Sequence, residues 1–128
     1  MKTKILLIAF LIINGSGKLE IKNIKEVYKK NDIIVFDIIN NYDDTVFYYI
    51  TMEGECDKKW REIPILDQKH LKKTYQITMI KNNSTSTEKL FVSDFYNGWE
   101  KYHLVINYGF FINKIDQKVY SSIFFIKQ

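Results

Sequence analysis

Lys101-Tyr-His-Leu-Val-Ile-Asn-Tyr-Gly-Phe110 decides the fold, because its apolar residues fall on every second position. Tyr102, Leu104, Ile106, Tyr108 and Phe110 point one way, while Lys101, His103 and Asn107 point the other. A period of two is that of a β-strand with one face against a core and the other toward water. Asp32 to Asn40 repeats the pattern with Ile34, Phe36 and Ile38, and Thr45 to Met52 is a β-branched and aromatic run. Between them Asn40-Asn-Tyr-Asp-Asp44 supplies turn chemistry, since Asn and Asp side chains bond their own backbone. The two runs read as a hairpin.

The rest of the chain alternates short β-rich runs with polar turns and keeps no long helical period. Lys18 to Tyr28 reads as one loosely alternating strand. Trp60 to Ile65 is a shorter strand whose Pro64 confines it to a sheet edge or bulge. Leu66 to Lys73 suggests a short helix capped by Asp67. Tyr75 to Ile80 returns as a strand with Tyr75, Ile77 and Met79 on one face, and Lys81 to Glu88 reads as a solvated loop. Within it, Asn82-Asn-Ser84 and Asn83-Ser-Thr85 fit the N-glycosylation acceptor pattern. Leu90 to Val92 is a brief strand, and Lys118 to Lys127 is a last strand with apolar residues on both faces. An all-β, antiparallel sandwich of about seven strands over residues 18–128 follows.

A leader precedes this domain. Lys2 and Lys4 form a charged start, Ile5 to Ile13 is an uncharged apolar run, and Gly15 and Gly17 supply small residues for a peptidase. Residues 1–17 read as a signal peptide cleaved after Gly17, placing the domain in a secreted or periplasmic setting. Nine apolar residues fall short of the roughly 20 needed to span a bilayer, so no transmembrane anchor is expected in the mature chain. Lys2 and Lys4 account for two of the formal +4 charges. The remaining charge is nearly balanced and interspersed, unlike the dense basic face of a nucleic-acid binder.

Asp94 to Gln128 resembles the end of the bacterial exported immunoglobulin-like β-sandwich. There a loop with Gly and an aromatic, here Asn97-Gly-Trp99, leads into a strand such as Tyr102-His-Leu-Val-Ile106, and the chain closes with one like Tyr120-Ser-Ser-Ile-Phe-Phe-Ile126. Ile34-Val-Phe-Asp-Ile-Ile-Asn40 resembles the second strand of such domains. The resemblance implies that Tyr102, two residues before the core position Leu104, makes a corner hydrogen bond. The two sheet-bridging cysteines of antibody domains are missing, and the fold likeness does not assign a function.

The candidate chemistry is sparse. Cys56 is the only cysteine, so an intermolecular bridge or reactive thiol competes with a tolerated residue in the polar stretch Glu53 to Lys59. His70 and His103 have no neighbours at ligand spacing, Asp43 with Asp44 fits a turn better than a calcium site, and no nucleophile elbow occurs. No catalytic residue, cofactor or metal is assigned. Nine Tyr, nine Phe and two Trp are a larger surplus. Most belong in a core, with Trp60 a candidate pin between sheets. Phe95, Tyr96 and Trp99 fall in a loop and form a candidate protein-contact loop. The reading is a small exported binding module with a protein partner and no catalysis. The alternatives are a lipocalin-like β-barrel carrying a small apolar ligand, or a periplasmic inhibitor or immunity protein.

Overall fold

A computed structural model describes residues 18–67, 72–73 and 76–127. The leader 1–17, His70 and Tyr75 lie outside them. In chain order the strands are β1 (Leu19–Lys22), β2 (Val27–Lys29), β3 (Ile33–Asn40), β4 (Val46–Cys56), β5 (Lys59–Ile63), β6 (Leu66–Asp67), β7 (Lys72–Lys73), β8 (Thr78–Ile80), β9 (Ser84–Phe91), β10 (Lys101–Gly109), β11 (Gln117–Tyr120) and β12 (Phe124–Lys127). One sheet has the order β1-β3-β9. The other runs β2-β12-β10-β4-β5, with β11 also on β10 and β8 also on β4. A small β6–β7 ladder stands apart. No ladder joins the two main sheets among the described residues, so they form a sandwich and not the closed barrel of the lipocalin alternative.

The inner faces are those the alternation named. Ile34, Phe36 and Ile38 of β3 and Tyr102, Leu104 and Ile106 of β10 are fully buried, together with Tyr28, Tyr48, Met52 and Phe124. Four of the largest buried side chains are Tyr28, Tyr48, Tyr102 and Phe124, so aromatic surface supplies the cohesion that a disulfide would otherwise add. Tyr28 meets Phe124 edge-on at 5.4 Å between ring centres, and Tyr102 stacks on Phe124 at 5.9 Å.

Several expectations are corrected. Residues 18–28 are two strands, because the chain turns at Asn23 (φ 73°) and passes from one sheet to the other. There β2 pairs parallel to β12, the one parallel ladder among the described strands. β3 and β4 are not a hairpin: each puts an apolar face into the core from opposite sides, and Asn40 to Asp44 carries the chain across between sheets. β4 runs on to Cys56 through the stretch read as polar loop. It reverses into β5 at Asp57-Lys58, both left-handed (φ 54° and 64°), as a tight hairpin turn requires. Of the helix expected from Leu66 to Lys73, residues 68–71 lie outside the described residues; its two ends pair as the β6–β7 ladder, with Asp67 in strand and not at a helix cap.

Residues 84–88 are strand and not loop. Ser84 to Phe91 pairs residue for residue with β3, and only Asn82 and Asn83 turn (Asn83 φ 54°). Its polar side chains hid it because β9 is an edge strand whose outer face is solvated. On β8 the facing is inverted: Ile80 is buried and Met79 is 61% exposed. The outer side of β10 is also less wet than alternation implies. Val105 and Asn107 are buried there, and the Asn107 amide donates to Thr51 Oγ1 at 2.9 Å. The last strand breaks into β11 and β12 at Ser121, whose hydroxyl accepts the Leu104 N–H at 2.8 Å and whose own N–H donates to Leu104 O at 2.9 Å. β5 is an edge strand with Pro64 just beyond it, as the proline demands.

The buried tyrosines set an alkaline limit. Burial pushes the hydroxyls of Tyr28, Tyr48, Tyr102 and Tyr108 up, Tyr102 to about 12, with neighbouring Glu88 adding to the effect on Tyr48 and Tyr42 to that on Tyr108. In the unfolded chain these groups ionise near 10. The unfolded state therefore loses protons first, and stability must fall as pH rises from about 10 toward 12, each group contributing up to about 1.4 kcal/mol per pH unit. Urea midpoints should hold level between about pH 8 and 9 and drop steeply above 10. A midpoint unchanged at pH 11 would contradict this.

Candidate functional site

The loop after β9 begins with a 3-10 turn over Val92–Asp94. Val92 is fully buried, and its carbonyl accepts the N–H groups of both Phe95 (3.2 Å) and Tyr96 (2.9 Å). That anchor drives Phe95 into the core, 3% exposed, edge-on to Tyr102 at 5.5 Å and to Phe124 at 6.5 Å. Phe95 is therefore corrected from contact residue to core residue.

Asn97 shapes the second half of the loop. Its Oδ1 accepts the Trp99 N–H at 3.2 Å, closing an Asx turn across Gly98, whose φ of 94° suits glycine. The same Oδ1 accepts the Tyr102 hydroxyl at 3.0 Å. This is the corner bond that the resemblance implied, made to a side chain five residues upstream. Because burial holds the Tyr102 hydroxyl protonated to about pH 12, it remains a donor at any physiological pH.

Trp99 is half-buried over the bare backbone of Gly54. A Cβ at Gly54 would lie 2.7 Å from Trp99 Cε3 and 2.6 Å from Ile63 Cδ1, so the indole seat exists only because residue 54 has no side chain. Tyr96, Gly98, Trp99 and Glu100 make one wall of a half-open groove of about 600 Å³, and Val27, Phe125, Ile126 and Lys127 make the other. Two of the three predicted contact residues thus line one concave, largely apolar surface. Sequence reasoning missed the opposite wall. It arises from the parallel pairing of β2 with β12, which brings residues near the two ends of the domain together, and no local pattern announces that.

The remaining candidates are placed elsewhere. Trp60 lies on the outer face of its sheet, stacked on the His103 ring at 4.0 Å and 10°, and is no pin between sheets. His103 Nε2 lies 2.7 Å from Glu53 Oε1, and Tyr120 flanks the ring at 5.1 Å. Cys56 is a half-exposed free thiol at the end of β4. Asp43 and Asp44 are exposed turn residues, and the Asp44 carbonyl accepts the Asn40 amide. Among the described residues no three His, Cys, Asp or Glu side chains cluster to hold a metal ion.

The fold, two packed β-sheets, is similar to that of solved structures over most of this chain. CfaA, a class 5 fimbriae chaperone, superposes with a TM-score of 0.55 at 12% identity, over 85% of this chain and 55% of that one. This chain is an immunoglobulin-like β-sandwich. A second similar structure is the CsuC–CsuE chaperone–tip adhesion subunit pre-assembly complex from the archaic chaperone-usher Csu pili of Acinetobacter baumannii. It gives a TM-score of 0.53 at 13% identity, over 86% of this chain and 51% of the matched one. The sandwich spans about half the length of both matched chains, and at these identities the likeness is one of fold alone. No family model matches the sequence, and no curated protein matches it. No helix among the described residues of the sandwich is long and apolar enough to cross a membrane.

Proposed function

We propose that this sandwich is a small exported binding module that acts by contact with another protein, without catalysis, and that the groove beside Tyr96 and Trp99 is its contact surface. The observation that carries the reading is the groove itself: an aromatic, concave surface held open by Gly54 and by the Asn97 turn. Partly exposed Tyr and Trp in a concavity contribute large contact area at low entropic cost, which is why such residues dominate binding energy at interfaces. One similar structure is a chaperone in complex with a tip adhesion subunit, which supports a reading in protein contacts. Inhibition of an enzyme or neutralisation of a toxin would be a special case of the same contact.

Val27 is 40% exposed on the far wall and Tyr96 is half-buried on the near one, so both can be changed without emptying the core. The double variant Val27→Glu with Tyr96→Ala should lower capture of the partner, crosslinked in the producing cells, by about tenfold or more. Its melting temperature should stay within about 5 °C, a change of roughly 1 kcal/mol. Ile33→Ser, on the outer face of the opposite sheet, should leave capture unchanged. Equal capture by the groove variant and the parent would remove this reading.

Export rests on the leader at residues 1–17. The protein recovered outside the cytoplasm should begin at Lys18, read by N-terminal sequencing; Met1 on exported material would refute cleavage after Gly17.

A further inference from the structure

Among the described strands, β9 forms a ladder with one other. Its eight residues pair with β3 without a bulge, from Ile33↔Phe91 to Asn40↔Ser84, and no described strand pairs its other edge. β8, which precedes it across a two-residue turn, pairs instead with β4 in the opposite sheet. A strand with one edge unpaired offers a row of N–H and C=O groups to any chain that can extend the sheet, and proteins commonly blunt such edges. One end strand of the other sheet, β2, has its last residue capped: the Lys29 N–H donates to the Asp32 carboxylate at 2.8 Å, and the Lys29 carbonyl accepts the Asp32 N–H at 2.9 Å. β9 carries no proline, glycine or bulge, and its only charged residues are Glu88 and Lys89. Glu88 is engaged by the Tyr48 hydroxyl.

We infer that β9 pairs with β9 of a second copy, antiparallel about a two-fold axis at Thr87, joining two β1-β3-β9 sheets into one. This surface is separate from the groove and does not rest on the contact reading given above. Register selects this pairing. A two-fold axis perpendicular to the sheet keeps inner and outer faces aligned, so only residues facing the same way can stand opposite each other. With Thr87 opposite itself, Ser86 meets Glu88, Thr85 meets Lys89 and Ser84 meets Leu90. Thr–Thr pairs across strands are favourable, and no like charges are opposed. The next register sets Glu88 against Glu88, and the one after sets Lys89 against Lys89. Sliding the other way shortens the ladder. The sequence of β9 thus favours one symmetric pairing over its neighbours.

The test uses the exported protein. Sedimentation velocity should show a monomer–dimer equilibrium that moves toward dimer as concentration rises. Thr87→Lys places two ammonium groups at the axis and should weaken the dimer by about tenfold or more. It loses the Thr87 hydroxyl's bond to Asp37 at 2.7 Å, but the new ammonium can pair with that carboxylate, so the far-ultraviolet spectrum should not change. Cysteine variants in a Cys56→Ser background give a second measurement that needs no destabilised fold. Thr87→Cys puts two thiols on Cα atoms about 4.5 to 5.5 Å apart, within disulfide range, and should crosslink readily on oxidation. Thr85→Cys puts them about 13 Å apart, four residues out of step, and should crosslink at no more than about a tenth of that rate. A chain that stays monomeric at millimolar concentration, equal crosslinking at the two positions, or a dimer indifferent to Thr87→Lys would each overturn the inference. So would β9 pairing only with a strand from a different protein.

Discussion

Asn40→Leu should cost this sandwich about 3 to 5 kcal/mol, read as a fall in melting temperature of roughly 15 to 30 °C. Asn40 is fully buried at the end of β3. Its amide nitrogen donates toward three carbonyls, Asp44 O at 2.9 Å and Ile80 O and Lys81 O at 3.1 Å, while its Oδ1 accepts the Tyr42 N–H at 2.9 Å. One side chain thereby ties the crossing between the sheets to the end of β8. Leucine fills nearly the same volume, so little cavity forms and the penalty is one of polarity. The amide's two protons are shared among the three carbonyls, so two carbonyl bonds and the acceptor of one N–H are lost, and each buried polar group left unsatisfied costs about 1 to 3 kcal/mol. Water can reach the more open of these groups, which holds the total near the lower half of the simple sum. Asn40→Asp keeps the acceptor for Tyr42 but brings a carboxylate against three carbonyls, so it should be no better tolerated. A drop below about 4 °C for Asn40→Leu would mean that these contacts contribute little net stability.

The same residue shows what the sequence could and could not disclose. Asn40-Asn-Tyr-Asp-Asp44 is legible as a turn, yet turn chemistry does not say whether the chain reverses within a sheet or crosses to the facing one. That choice depends on where β9 docks, and β9 was itself concealed by its Ser and Thr content. A strand at an edge buries only half of one face, so its alternation is between half-buried and exposed and leaves almost no hydrophobic signal. By contrast β3 and β10, packed on both sides by other strands, show their inner faces plainly. Tyr96 and Trp99 were legible as surface aromatics because a loop flanks them. Phe95 was not legible as core, because its burial follows from the 3-10 turn at Val92, and three residues of 3-10 turn leave no periodicity to read. The far wall of the groove depends on pairing between residues about a hundred positions apart, Val27 with Phe125. Such long-range parallel pairing has no local signature.

Gly109→Ala separates conformational preference from space. Glycine inside a strand is ordinarily a weakness, and alanine there should stabilise by about 0.5 to 1 kcal/mol if only backbone entropy counted. Here the sign should reverse. A Cβ on Gly109 would lie 2.1 Å from the Lys114 carbonyl oxygen, 3.0 Å from Ile115 Cα and 3.1 Å from Lys114 C. All three are backbone atoms, so no rotamer change relieves the clash. Either the turn that closes with Lys114 N–H on Phe111 O at 3.0 Å must open, or the end of β10 must leave Phe47 on β4. The first course pulls Phe110 away from Tyr42, which it meets edge-on at 4.8 Å, and the second breaks the ladder in the middle of the larger sheet. Overpacking of this kind costs about 1 to 3 kcal/mol, and the rigidity of backbone on both sides places Gly109→Ala near the top of that range, a fall of roughly 10 to 20 °C. Hydrogen exchange should locate the damage. Amides of Asn107 to Ile115 should lose protection, while those of β12 and the groove, at the other end of β10, should keep it. A stabilised or neutral variant would show that the hairpin yields freely and that Gly109 is there for reasons other than room.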